Sequence, residues 1–238
     1  EKQKADYLKG LFEKTYISDI VGRYHVKNEA ELGELVNIVA SAVGSLTNPT
    51  KIVNTFATVK NVKITNDTVK KWLDYLCDSF LVSRAMRYDV KGRRYIDTPS
   101  KYYFSDLGLR NARLNFRQNE KTHLMENMIY NELLYRGFNV DVGVVVTELT
   151  SSEGKRQKVQ LEIDFVCNQG SRRYYIQSAY KMDSDEKRRQ ECLSLLKVDD
   201  SFKKIVIVAD DQLVHHDDHG ITTICLRDFL TQPSALDS

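Results

Sequence analysis

Residues 122–137 read THLMENMIYNELLYRG, and this stretch with the strands after it decides the fold class. Its apolar residues recur at helical spacing, Thr122 can cap its start and Gly137 can end it. After Gly137 the apolar period changes to the alternation typical of strands. The predicted segments are strands at 138–149, 157–168 and 172–180, a charged helix at about 184–196, and further strands at 203–210 and 221–226. The predicted order from residue 122 is therefore αβββαβ.

The residues before this stretch predict short helices followed by a hairpin. Asn48-Pro49 joins a capping side chain to a residue whose φ angle is already helical, and Thr65 can open the next helix. Residues 83–106, SRAMRYDVKGRRYIDTPSKYYFSD, are rich in strand-forming residues and broken at Lys91-Gly92, which indicates a hairpin. Two short helices followed by a basic hairpin are typical of a winged helix-turn-helix.

Four segments carry a family resemblance: LTNPTKIVNTF at 46–56, KYYFSDLGLRNA at 101–112, LMENMIYNELLYRGFNVDVG at 124–143 and EIDFV at 162–166. They resemble the C-terminal half of bacterial and archaeal AAA-type ATPases that carry a domain of unknown function. The resemblance implies a helical lid segment and winged helix-turn-helix over 1–118. For 119–238 it implies a PD-(D/E)xK restriction-endonuclease-like domain. The expected fold class is therefore α+β or α/β.

The sequence contains no GxxxxGK[ST] motif, so no segment is predicted to cradle nucleotide phosphates. The chain also opens directly on an amphipathic helix without an initiating methionine. We expect it to be the C-terminal portion of a longer chain. The resemblance implies that an upstream ATPase domain is its partner and that ATP chemistry occurs only there.

The resemblance also implies a set of site residues. Glu126 matches the helical acid of the nucleases and Asp164 the strand aspartate, with Glu162 on the same strand face. These three carboxylates are the candidate ligands for Mg²⁺, a cofactor that such nucleases use. The third motif should be E-x-K, but here it is Gln177-Ser178-Ala179. Lys181 lies two residues further on and can replace the missing lysine only if the strand continues that far.

Because glutamine supplies a neutral carbonyl and alanine supplies no amine, we expect a degenerate site that does not cleave nucleic acid. No cofactor is firmly indicated. Two alternatives stay open: a metal-dependent DNA nuclease with a migrated lysine, or a core in which Glu126 and Asp164 only satisfy backbone and arginine partners.

Charge is distributed unevenly along the chain. The net charge is +2, yet residues 47–117 contain 14 Lys and Arg against six Asp and no Glu. This asymmetry is typical of a polyanion-facing segment, so DNA is the predicted partner. The candidate contacts are Lys70 and Lys71 on the recognition helix and Arg84, Arg87, Lys91, Arg93, Arg94 and Lys101 in the wing. The alternative is a protein-docking winged helix in a scaffold, which can be oligomeric, with the arginines in salt bridges.

The remaining features concern location and two polar stretches. The four cysteines form no CxxC pair, which predicts reduced thiols and a cytoplasmic protein. The sequence has no run of about 18 apolar residues, so no membrane span is predicted. The histidines of 214–220, VHHDDHG, are predicted to lie in a solvated loop. The charged stretch 183–191, DSDEKRRQE, is predicted to start a helix with an exposed charged face.

Overall fold

A computed structural model describes residues 2–150, 155–211 and 213–237, in which helices and one mixed sheet form an α+β architecture. The chain divides into two compact units. Unit 1 consists of Glu1–Ala85 and Thr98–Asn127, and unit 2 consists of Met86–Asp97 and Met128–Ser238. No helix among the described residues is both long and apolar enough to cross a membrane.

Unit 1 is built mainly from helices. They are α1 (Lys2–Leu11), a π-helical segment (Phe12–Ile17), α2 (Ser18–Tyr24), α3 (Glu29–Ser41), α4 (Pro49–Val59), α5 (Asn66–Asp78) and α6 (Leu107–Arg113). Both predicted helix starts are confirmed. The Asn48 side chain accepts from the Thr50 N–H at 2.9 Å, and Thr65 accepts from the Thr68 N–H at 3.1 Å. These caps satisfy donors that the first helical turn leaves unpaired.

Three elements contain residues of both units: strands β1 (Val82–Asp89) and β2 (Arg94–Phe104) and helix α7 (Lys121–Tyr135). Helix α7 is the predicted 122–137 helix, and Thr122 lies inside it rather than at its cap. Gly137 ends the helix as predicted. Its φ of 82° lets the N–H groups of Gly137 and Phe138 bond the Leu134 and Leu133 carbonyls.

Unit 2 holds the remaining elements: β3 (Asn139–Thr150), β4 (Arg156–Gln169), β5 (Arg172–Ala179), α8 (Asp185–Leu196), β6 (Lys203–Val208), β7 (His215–His216), β8 (Ile221–Cys225) and α9 (Leu226–Thr231). The eight described strands form one sheet in the order β2-β1-β3-β4-β5-β6-β8-β7. Strands β3, β4 and β5 pair antiparallel, whereas β5, β6 and β8 pair parallel. The predicted αβββαβ order after residue 122 is therefore present, as α7, β3, β4, β5, α8 and β6.

The unit 2 core lies between the sheet and α8. Apolar residues from β4, β5 and β6 pack with Cys192, Leu195 and Val198 from the helix side. Each fully buried aliphatic side chain of this kind contributes about 1.5–3 kcal/mol relative to exposure. This packing fixes α8 against β4 and β5, and so determines which polar side chains of the helix face those strands.

The predicted hairpin is present as β1 and β2, and its winged-helix interpretation stays a prediction. Its segment Met86–Asp97 belongs to unit 2, where β1 pairs in parallel with β3 from Arg87↔Val142 to Asp89↔Val144. One prediction about a polar segment is corrected. The histidine segment was predicted to be a loop, but His215 and His216 form strand β7 beside Thr223 and Thr222 of β8.

Candidate functional site

Glu126, the predicted helical acid, lies in unit 1 and is 9% exposed. Its Oε1 accepts hydrogen bonds from the Lys101 ammonium at 2.8 Å and from the Tyr103 hydroxyl at 2.6 Å. A buried carboxylate pays a large desolvation penalty, which a cation and a hydroxyl on the same oxygen offset. In unit 1 this acid is thus one partner of a buried ion pair.

Two neighbours hold the Glu126 segment in place. The Asn127 side chain is fully buried, and its amide accepts from the Phe104 N–H and donates to the Phe104 carbonyl, both at 2.8 Å. Gly44 has a φ of 72°, and a Cβ built on it would lie 3.2 Å from a Glu126 oxygen. Only glycine takes this backbone conformation without strain and leaves room for the carboxylate.

Asp164 and Gln177 come together in unit 2 at the point where β4 and β5 separate. The paired residues of these strands run from Gln169↔Arg172 to Phe165↔Ile176. Beyond that pair, Asp164 Oδ2 accepts from the Ser178 N–H at 2.9 Å, and Gln177 Oε1 accepts from the Asp164 N–H at 3.4 Å. The two side chains therefore bond backbone N–H groups where the strand ladder ends.

Glu191 on α8 is a further acid at this place that sequence reasoning missed. Burial, and secondarily the negative charge of Asp164, raise the pKa of Glu191 above its ordinary value, while Lys187 opposes the shift. Ser194, one turn along the helix, donates to Gln177 Oε1 at 3.5 Å. The stretch that starts α8 was predicted to be exposed, but Glu191 is half-buried because its neighbours Cys192 and Leu195 are in the core.

The donor set of unit 2 does not fit a complete Mg²⁺ site. Lys181 is exposed and lies outside β5, which ends at Ala179, so the condition for a migrated lysine is not met. Glu162 is half-buried on β4 opposite Val144. Within the described ranges of either unit, no three His, Cys, Asp or Glu side chains are placed to share a metal ion. Magnesium prefers several hard, charged oxygen ligands, and β5, the strand beside Asp164, supplies only the neutral amide of Gln177.

The predicted nucleic-acid contacts of unit 1 divide into two groups. Lys70 and Lys71 are exposed on α5, and neither has an ion-pair partner among the described residues. Arg84 is exposed on β1, where its Nε donates to Ser100 Oγ at 3.0 Å. Lys101 is 3% exposed and bonded to Glu126, which removes it from the predicted basic surface. The alternating pattern of a strand predicts on which face of the sheet Lys101 lies. It does not predict that this face buries Lys101 against a carboxylate.

In unit 2, Lys91 and Arg93 lie in the turn between β1 and β2 and Arg94 is the first residue of β2; all three are exposed. Arg94 lies 3.7 Å from an Asp89 oxygen. Arg87 is half-buried and donates to Gln160 Oε1 at 3.1 Å, while its Nε is buried without a hydrogen-bond partner among the described residues. The three cations at the hairpin tip in unit 2 are therefore accessible, as Arg84 is in unit 1, and Arg87 is held against β4.

Comparison with known proteins divides the chain near the start of α7. Residues 1–120 match the family described as Domain of unknown function (DUF8612). The chain belongs to the DUF8612 family. Residues 121–229 match a second description, Domain of unknown function (DUF4143). The DUF8612 match ends before Glu126 and Asn127, although both residues belong to unit 1.

Two relatives extend the comparison. An uncharacterized protein of Haemophilus influenzae is 33% identical over 232 residues, covering 98% of this chain and 54% of its own. The uncharacterized protein MJ1544 of Methanocaldococcus jannaschii is 26% identical over 216 residues, covering 89% and 46%. The chain thus spans about half the length of the curated relatives it matches. The crystal structure of protein VC1899 from Vibrio cholerae aligns with 99% of this chain and 56% of its own at 14% identity, with a TM-score of 0.32.

Proposed function

We propose that this chain is a non-cleaving nucleic-acid-binding module, which positions DNA through unit 1 for an ATPase domain elsewhere in a longer chain. The observation that carries the proposal is a β-bridge in unit 1. Thr47, between α3 and α4, pairs with Ser100 of β2 through N–H···O bonds of 2.7 and 3.2 Å. The ATPase part of the proposal rests on the family resemblance and agrees with the greater length of both relatives.

The bridge supports a winged helix because it supplies that fold's short first strand. The order in unit 1 is then α3, the Thr47 strand, α4, α5, β1 and β2. In winged helices of this order, the last helix before the hairpin enters the major groove. That helix is α5, and Lys70 and Lys71 lie on its exposed side. Ammonium groups there would bind phosphates with little sequence preference.

The charges on α5 also limit the expected affinity. Asp67 and Asp74 are exposed on the same helix, so the cationic surface is confined to its middle. We therefore expect weak, salt-sensitive binding rather than tight recognition of one site. The donor set around Asp164 and Gln177 supports the non-cleaving part of the proposal, because it lacks the E-x-K carboxylate and lysine.

The test is a gel-shift titration with one duplex DNA over a series of salt concentrations. Replacing Lys70 and Lys71 with Ala should weaken binding and reduce the salt slope by about one unit for each lost phosphate contact. The matched control is Lys4→Ala with Lys14→Ala, which removes the same charge from exposed positions elsewhere in unit 1.

Three outcomes would decide against the proposal. If both double variants lose the same amount of DNA affinity, binding depends on net charge and not on α5. If the unsubstituted chain shows no salt-dependent binding of DNA, the protein-docking scaffold is favoured. Cleavage of the DNA with Mg²⁺ or Mn²⁺, abolished by Asp164→Ala, would show that the nuclease alternative is right.

A further inference from the structure

A pocket of about 400 Å³ lies in unit 2 beside the turn between β1 and β2. Its cationic side is formed by Lys91, Arg93 and Arg173, and its apolar side by Val90, Val198 and Phe202. An adjoining pocket of about 280 Å³ shares Arg93, Arg173 and Phe202 and adds Tyr88. The volume is within the range of small-molecule sites, which combine apolar walls with a few polar groups.

Arg173 is held in a fixed position between two rings. Its guanidinium carbon lies 5.1 Å from the centroid of Phe202 and 5.7 Å from that of Tyr88, and its Nε donates to Asn168 Oδ1 at 2.7 Å. A cation that is already oriented loses little side-chain entropy when an anion binds. Phe202 is 38% exposed, so part of its ring remains available to a ligand.

The two cations of the turn have no ion-pair partner among the described residues. Asp89 is near Arg94 and accepts from the Gly92 N–H at 2.9 Å, so the local acid is used by other groups. Arg93 also has a φ of 52°, a conformation that costs free energy for a residue other than glycine. Lys91 and Arg93 thus present unpaired charge at the rim of the pocket.

The two acids of the pocket have different surroundings. Asp200 accepts from the Tyr175 hydroxyl at 2.7 Å and from the Phe202 N–H at 3.1 Å, so both of its oxygens have protein donors. Asp199 is exposed and is left as an acceptor for hydroxyl or amino groups. Among the residues that the structure describes, the pocket therefore offers three cations, an apolar wall and the Asp199 carboxylate as an acceptor.

We propose that this pocket binds a nucleotide unit, with its phosphate on Lys91, Arg93 and Arg173 and its base against Phe202. The Asp199 carboxylate accepts from a sugar hydroxyl or a base amino group. The same chemistry occurs in a free nucleotide and at the 5′-phosphorylated end of a strand. The proposal is independent of duplex binding by unit 1, because none of these residues belongs to that unit.

The experiment is calorimetric titration of the full chain with adenosine monophosphate, inorganic phosphate and adenosine. Adenosine monophosphate should bind in the millimolar range or tighter and more strongly than either part. Arg93→Gln should weaken that binding about tenfold, the value of one charge-assisted hydrogen bond. Arg94→Gln, the adjacent cation outside the pocket lining, is the matched control and should leave the affinity within about twofold.

Phe202→Leu should weaken adenosine monophosphate binding but leave phosphate binding unchanged, because it removes only the ring. Short oligonucleotides with and without a 5′-phosphate identify the source of the ligand. If the chain prefers the phosphorylated strand, this preference depends on Arg93 and the free nucleotide does not bind, the ligand is a strand end. If the free nucleotide binds and the strands do not, the ligand is a free nucleotide. If neither binds, or if Arg94→Gln is as harmful as Arg93→Gln, the proposal is wrong.

Discussion

Two of the three acids predicted to bind metal are buried, one in each unit, and they have different hydrogen-bond partners. In unit 1, Glu126 accepts from a lysine ammonium and a tyrosine hydroxyl. In unit 2, Asp164 accepts from a backbone N–H and has Glu191, a second carboxylate, as an electrostatic neighbour. Removing a cation from a buried carboxylate costs more free energy than removing the acceptor of one backbone N–H. Substitutions at these two contacts should therefore differ in the size of their effects.

The largest effect should come from removing the cation of unit 1. Lys101→Met removes the cation that bonds the buried Glu126 carboxylate, which we expect to lower the free energy of unfolding by about 3–5 kcal/mol. Urea unfolding measures this loss. Lys71→Met, at an exposed lysine, is the control and should change stability by less than about 0.5 kcal/mol. Recovery of most of the loss in a Lys101→Met, Glu126→Leu double variant would show that the unpaired charge was its cause.

A smaller effect is expected at Asp164. Asp164→Ala leaves the Ser178 N–H without its acceptor, and we expect a loss of about 1–3 kcal/mol in urea unfolding. Asp164→Asn keeps an acceptor oxygen and should cost clearly less. If the asparagine variant is as unstable as the alanine variant, the charge of Asp164 matters to the fold, and the contrast with Glu126 disappears.

The third prediction concerns the pH dependence of unit 2. Because the pKa of Glu191 is raised in the folded chain, the folded state holds a proton that the unfolded state has released. Stability should therefore fall as the pH rises from the ordinary glutamate pKa of about 4.3 to the raised value.

Glu191→Gln should be less sensitive to pH over that interval, since it cannot titrate beside Asp164 and Lys187. The measurement is the free energy of unfolding at several pH values for both proteins. Their difference isolates Glu191 from the other titrating groups, among them Asp141, whose pKa is also raised by burial. Parallel curves for the two proteins would contradict the prediction.

The smallest effect is expected from metal. For the unsubstituted chain, millimolar Mn²⁺ should stabilise by less than about 0.4 kcal/mol, the value reached when ligand concentration equals Kd. Gln177→Glu restores the missing carboxylate beside Asp164 and should increase that stabilisation. Thermal unfolding with and without Mn²⁺ measures both. Strong stabilisation of the unsubstituted chain would show that Gln177 does not weaken the site.

Local signals predicted much of the fold. The caps at Asn48 and Thr65, the stop at Gly137 and the alternation after it depend on neighbours a few residues apart, so the sequence predicts them well. The pairing of β1 with β3 and the Lys101–Glu126 ion pair join distant residues, and no local pattern encodes them. Asp164 and Gln177, which the sequence analysis names as members of one site, do contact each other, and their role stays a prediction. Glu191 was missed because the sequence of α8 is charged along most of its length.

The course of α7 has a consequence for how the chain can be divided. The two family matches meet between residues 120 and 121, yet unit 1 extends to Asn127. A fragment that ends at residue 120, where the first family match ends, would lose the Glu126 carboxylate that bonds Lys101. It would also lose the Asn127 amide that bonds the Phe104 backbone. A fragment ending after Asn127 would keep both. The family matches and the compact units thus have different boundaries in this chain, and the first two turns of α7 lie between them.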